Sequence, residues 1–184
     1  VRMLSDWYKS TENEETSIGY LFVSLAPNKY LEDKIKNAVV SEDEISDMAS
    51  HELANIRRKI AQAGIRIRES LDKLIRSSEV QKSLRENIVT MRDGRYVLPV
   101  KADFKGNVPG LVHATSATGS TYFIEPISVV EANNDIKVLQ GEEQDEIDRI
   151  IAELSADCAA YAEALSADYV TCTEINLYFA KSNL

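Results

Sequence analysis

The chain has 184 residues, 44% hydrophobic and 28% charged, with a formal net charge of −9. That length allows one ordinary domain. No apolar run approaches the roughly 20 residues that span a bilayer and no signal peptide is visible, so a cytoplasmic protein without a membrane partner is expected.

Residues 1–40 read as short helical pieces forming a base. Ser17 to Ala26 is nearly all apolar and is expected to be buried, with Trp7 and Tyr8 in the same core. Pro27-Asn28 breaks it, and Leu31, Ile35 and Val39 resume at helical spacing. Ser41 with Glu44 reads as a capping box that starts a long helix from about Asp43 to Glu79. Along it, Leu53, Ile56, Ile60, Ala63, Ile67, Leu71 and Leu74 form a heptad-like seam, which needs a partner. Gly64 marks a place for a bend or a close crossing.

From Ile88 to Pro126 the pattern changes, with four of the seven glycines and three of the four prolines. Ile88–Arg92 reads as a strand, Asp93-Gly94 as a type I′ turn and Arg95–Phe104 as a second strand. Pro99 implies a bulge or an edge there. Leu111–Ser116 and Ser120–Glu125 complete a four-stranded antiparallel meander. The partner helix follows, with Ile136, Leu139, Ile147, Ile150, Leu154, Cys158, Tyr161 and Leu165 as its seam. After Asp168 an apolar, aromatic run returns to the base.

The predicted architecture is mainly α with a small β insertion. A long antiparallel helical hairpin stands on a helical base and carries a four-stranded sheet. Its parts are the base at 1–40, the outgoing helix at 41–87, the sheet at 88–126, the returning helix at 127–168 and the return to the base at 169–184. The chain begins at Val1 and ends without an obvious terminal element, so it is expected to be a piece of something larger.

No catalytic set stands out. His51 and His113 have no Ser or Cys nucleophile placed beside them, and Ser116 is expected on the opposite strand face from His113. Cys158 and Cys172 lack metal or redox spacing and are expected as buried free thiols. The carboxylates Glu142-Glu143 and Asp145-Glu146 read as a solvated or ion-paired helix face rather than a metal site. No enzyme, no metal and no cofactor is expected in this stretch.

Charge is unevenly placed. Thirteen Lys/Arg stand against six Asp/Glu from Arg57 to Lys105, while eleven acids stand against Lys137 and Arg149 between Glu131 and Asp168. On the first helix, Arg57, Arg58, Lys59, Arg66, Arg68, Lys73 and Arg76 are expected mainly in pairs with the acidic helix. The alternative is an exposed basic stripe. In the sheet, Arg92 and Arg95 face each other across the turn, which favours an arriving anion, and Arg85, Lys101 and Lys105 add charge nearby. An exposed hairpin kept soluble by arginine is the alternative.

Several motifs together resemble a known family. They are Arg92-Asp93-Gly94-Arg95-Tyr96 with Pro99-Val100-Lys101, Gly110-Leu111-Val112-His113, Ser116-Ala117-Thr118-Gly119-Ser120-Thr121, Phe123-Ile124-Glu125-Pro126 and Asn133-Asn134. Asp47-Met48-Ala49-Ser50 with Leu53 and Arg57-Arg58 adds a helix motif. The chain resembles the bacterial MutS-two family from about Ile35 to Leu165, departing at Thr118, Ser120 and Tyr122. The resemblance implies core, lever and clamp without the ATPase and Smr nuclease domains. ATP and Mg would then belong to the full-length homodimer. Branched DNA (in recombination suppression) or collided ribosomes and their rRNA would be the partners. Arg92, Arg95, Lys101, Lys105 and Arg85 are the expected nucleic-acid contacts. A structural lever that closes the dimer and transmits the ATPase state is the alternative role.

Overall fold

The structure is a computed structural model that describes residues 1–11 and 16–182. Residues 12–15 and 183–184, counted in the expected base, lie outside the described residues. In chain order the elements are α1 (Arg2–Ser10), α2 (Gly19–Ser24), α3 (Lys29–Ala38), β1 (Val39–Ser41), β2 (Glu44–Ile45), α4 (His51–Ile75), α5 (Ser78–Ser83), β3 (Thr90–Arg92), β4 (Arg95–Lys101), β5 (Gly110–Thr115), β6 (Thr121–Pro126), α6 (Ile127–Ala160) and α7 (Ala162–Ser182). Short 3₁₀ turns lie at Asp47–Ala49 and Ala102–Asn107. The fold is mainly helical with a small antiparallel sheet, as expected. No helix among the described residues is long and apolar enough to cross a membrane. The chain forms two compact units, one of 1–49 with 148–184 and one of 50–147.

In the first unit Leu21, Phe22 and Leu25 bury themselves with Ile175 of α7. Tyr8 stacks on Phe22 with ring centroids 4.9 Å apart, but Trp7 is 50% exposed, contrary to expectation. Asn28 caps α3 by accepting from the Leu31 amide at 3.0 Å. Arg2 and Lys36 both donate to Glu32, whose carboxyl they pull down to about 2, led by the Arg2 hydrogen bond. Lys34 donates to Asp157 at 2.6 Å and Glu153 at 2.7 Å, which tie α3 to the last part of α6. Tyr161 and Leu165, expected in a buried seam, are about two-fifths exposed. Both cysteines are half-buried rather than buried.

The long first helix starts later than the capping-box pattern implies. Val39–Ser41 and Glu44–Ile45 form a small hairpin instead, because β-branched Val39 and Val40 favour extended backbone and two acids make the turn. Ser50 is the cap in use. Its hydroxyl accepts from the amides of Glu52 and Leu53, and it also donates to Glu146 at 2.5 Å. The helix stops at Ile75 and is followed by the short α5.

Within the second unit α4 and α6 run antiparallel. Ser50 and Arg57 near the start of α4 meet Glu146 and Glu143 of α6, whereas Ile67, Leu71 and Ile75 share a core with Val129 and Ile136. Leu98, Val100 and Ile124 supply the sheet's side of that core, joined by Val80, Leu84 and Val108. Gly64 lets Tyr96 pack close, for a Cβ there would lie 2.7 Å from the Tyr96 hydroxyl.

The sheet order is β3-β4-β6-β5, so it is not the expected meander. β4 ends at Lys101, short of Phe104, because residues 102–107 turn as 3₁₀ helix. That turn carries the chain past the neighbouring position, so that β5 lies at the far edge and β6 takes the place beside β4. β3 is also shorter than expected, and Pro99 lies beyond its end, where its missing donor deprives no strand. The Pro99 carbonyl accepts from the Arg85 amide at 2.8 Å. The shift of register within this sheet falls instead in β5, between Val112 and Ala114.

Candidate nucleic-acid interface

The turn between β3 and β4 forms as read from the sequence. Asp93 and Gly94 both have positive φ, 50° and 72°, as a type I′ turn requires. Arg92 and Arg95 pair across it. Directly opposite residues point to the same sheet face, yet these two arginines do different things. Arg92 is exposed, lies 4.0 Å above the Phe123 ring and donates to the Met91 carbonyl at 2.9 Å. Arg95 turns inward and donates to Glu125 at 2.8 Å and to Asn134 at 2.6 Å.

Glu125 is fully buried, so its charge must be answered within the protein. Oε1 accepts from Arg95 and, at 2.7 Å, from Asn133; Oε2 meets His113 Nε2 at 2.5 Å. Asn133 is also fully buried. Its Oδ1 accepts from the Tyr96 amide at 3.1 Å and its Nδ2 donates to the Tyr96 carbonyl at 3.2 Å. β6 has already ended at Pro126 beside that part of β4, so the Asn133 amide takes the place of a strand's peptide group there. Arg95 is thereby a structural residue of the sheet, which sequence spacing alone could not reveal. His113 is tied to Glu125 rather than to Ser116, whose hydroxyl is hydrogen-bonded to Thr118 and the Thr121 amide.

The other expected contacts remain at the surface. Lys105 is exposed, with its ammonium 5.0 Å from the Tyr122 ring. Lys101 is half-buried, donates to the Lys82 carbonyl at 3.0 Å and lies 5.8 Å from the Phe104 ring. Arg85 is exposed. Among the described residues none of Arg85, Arg92, Lys101 or Lys105 has a carboxylate partner. Sequence reasoning overlooked the aromatic partners of these cations. It also overlooked Lys137, whose ammonium would be 2.6 Å from a Cβ placed on Gly94. The Asp93-Gly94 turn therefore rests beside α6 and is not a free tip. Chain spacing gives a hint, since Lys137 follows Asn133 by one helical turn.

On α4 the expected pairing is realised at Arg57, whose Nε is 2.7 Å from Glu143. Arg58 donates to Asn55, and Arg68 lies over the Tyr96 ring. Lys59, Arg66, Lys73 and Arg76 are exposed and form no ion pair among the described residues. Lys59, Arg66 and Lys73 recur every seven residues, so they share one side of the helix, about 10 Å apart along its axis. The basic stripe prevails over interhelical pairing for these four. No group of three or more potential metal ligands occurs among the described residues.

No model of a known protein family matches the chain. It is similar to curated proteins named Endonuclease MutS2. The protein from Ruminiclostridium cellulolyticum is 48% identical over 96% of this chain and 22% of its own length. That from Agathobacter rectalis is 48% identical over 94% of this chain and 22% of its own. That from Alkaliphilus oremlandii is 41% identical over the whole of this chain and 23% of its own. The chain thus spans under a quarter of the length of these relatives.

Proposed function

We propose that this chain, which is similar to one segment of proteins named Endonuclease MutS2, is their lever-and-clamp part, which grips the phosphate backbone of branched DNA or ribosomal RNA. The observation that carries this reading is the set of surface cations that have no carboxylate partner among the described residues, in a chain of net charge −9. Arg85, Arg92, Lys101 and Lys105 provide it around the sheet, and Lys59, Arg66, Lys73 and Arg76 along α4. Among the described residues no carboxylate forms an ion pair with them, although the chain carries an excess of acids. Contacts of this kind bind by charge and shape, so affinity falls steeply with salt. Arg95 enters only by fixing the hairpin that carries Arg92. The segment contributes no catalysis on this reading, and ATP, Mg and any cutting activity belong to other parts of the full-length homodimer.

The test is Arg92→Gln with Lys105→Gln in the full-length protein, titrated against a four-way junction and against ribosomes at two salt concentrations. Affinity should fall for the true partner, and the slope of log K against log salt should flatten by about 2, roughly 1 per lost contact. An unchanged affinity and slope for both partners removes the reading. The alternative, a clamp that closes on its counterpart in a dimer, draws on the edge strand β5, where Leu111 is 52% and Val112 39% exposed.

A further inference from the structure

The form of nucleic acid that the sheet takes is written in its aromatic residues. Besides Arg68, which lies over Tyr96 from α4, three cations lie over rings, namely Arg92 over Phe123, Lys105 over Tyr122 and Lys101 over Phe104. The rings differ in availability. Tyr122 is packed against the central core, so its ring serves the fold. Phe104 is 39% exposed and sits where the 3₁₀ turn is broken, with φ −114° and ψ 15°. Two residues on, Gly106 has open space beside it.

Phe123 lies opposite Pro99, Thr121 opposite Lys101 and Arg92 opposite Arg95. By strand alternation Arg92, Lys101 and Phe123 therefore occupy one face of the sheet. The Arg92 guanidinium already covers the Phe123 ring. Its outer side is a flat, delocalised cation backed by an aromatic ring. Duplex nucleic acid has little use for such surfaces, because its bases are stacked on one another. Unpaired bases offer free π faces, and proteins that hold single strands combine basic tracks with aromatic and guanidinium planes.

Building on the phosphate grip proposed for this segment, and resting on it, we propose that this face binds a single-stranded stretch of nucleic acid. One base stacks on the outer plane of Arg92 and another on Phe104, with the Lys101 ammonium beside Phe104 facing the backbone. The sugar is not discriminated by these contacts, so DNA and RNA strands are equivalent ligands.

Arg92→Lys keeps the charge and removes the plane, and Phe104→Leu keeps apolar bulk and removes the ring. Both residues are exposed, and thermal melting is used to check that each variant is folded. The full-length protein and these variants are titrated by fluorescence anisotropy with oligo(dT), oligo(U) and a blunt duplex of equal length. Each variant should lose about tenfold in affinity for both single strands, the lower part of the range for one stacked base, and nothing for the duplex. Equal losses for duplex and single strand, or none for either, overturn the stacking while leaving the phosphate grip standing. Failure of the unsubstituted protein to bind either single strand overturns the stacking, and failure to bind a four-way junction and ribosomes as well removes both.

Discussion

At the scale of single residues, the two hairpin arginines show how identical chemistry at facing positions can be assigned to opposite tasks. Arg92 lies on a ring at the surface, while Arg95 answers a carboxylate that has no access to water. Their substitutions should therefore separate. Arg95→Ala leaves Glu125 with only Asn133 and His113, and should lower unfolding free energy by about 2–3 kcal/mol. Arg92→Ala should stay within about 0.5–1 kcal/mol, the worth of an exposed cation–ring contact. Urea denaturation of both variants measures the contrast, and equal losses would show that Glu125 does not depend on Arg95. Symmetry of sequence about Asp93-Gly94 made the turn legible and concealed this difference. The partners that decide it, Glu125, Asn134 and Phe123, are all at least 30 residues away from their arginines along the chain.

At the scale of elements, periodicity was a good guide to which segments are helix and which are strand, and a poor one to where they begin and how they pair. The Ser41–Glu44 pattern satisfies the rule for a helix start as well as Ser50 does. What decides for Ser50 is Glu146, a tertiary partner that a local rule does not see. The order β3-β4-β6-β5 was hidden for a related reason, since a meander and this order need the same strands and differ only in the path of residues 102–109. One glycine reports the pairing that results. A Cβ at Gly110 would lie 2.1 Å from the carbonyl oxygen of Glu125. Gly110→Ala should therefore push β5 from β6 and destabilise by about 1–3 kcal/mol, measured by urea denaturation. Unchanged stability would mean that the β5 edge yields freely at its first residue.

At the scale of the molecule, residues 50–147 hold α4, the sheet and the first part of α6 around a core of their own. A polypeptide of those residues alone should fold, with a cooperative thermal transition and dispersed amide resonances. A non-cooperative melt with collapsed spectra would count against an autonomous unit. Its partner unit, built from 1–49 and 148–184, is discontinuous in sequence; the apolar, aromatic run after Asp168 hints at this, but no composition shift marks its boundary at 148.

One side chain gives the sheet and α6 a common frame. The two bonds that Asn133 makes to Tyr96 are ladder bonds in geometry, but one of their owners is a helix. Turning α6 about its axis by a single residue, about 100°, would withdraw both at once and strip Glu125 of one donor. The first part of the helix is thus keyed to the strand as a shaft is keyed to a gear, through the Asn133 side chain.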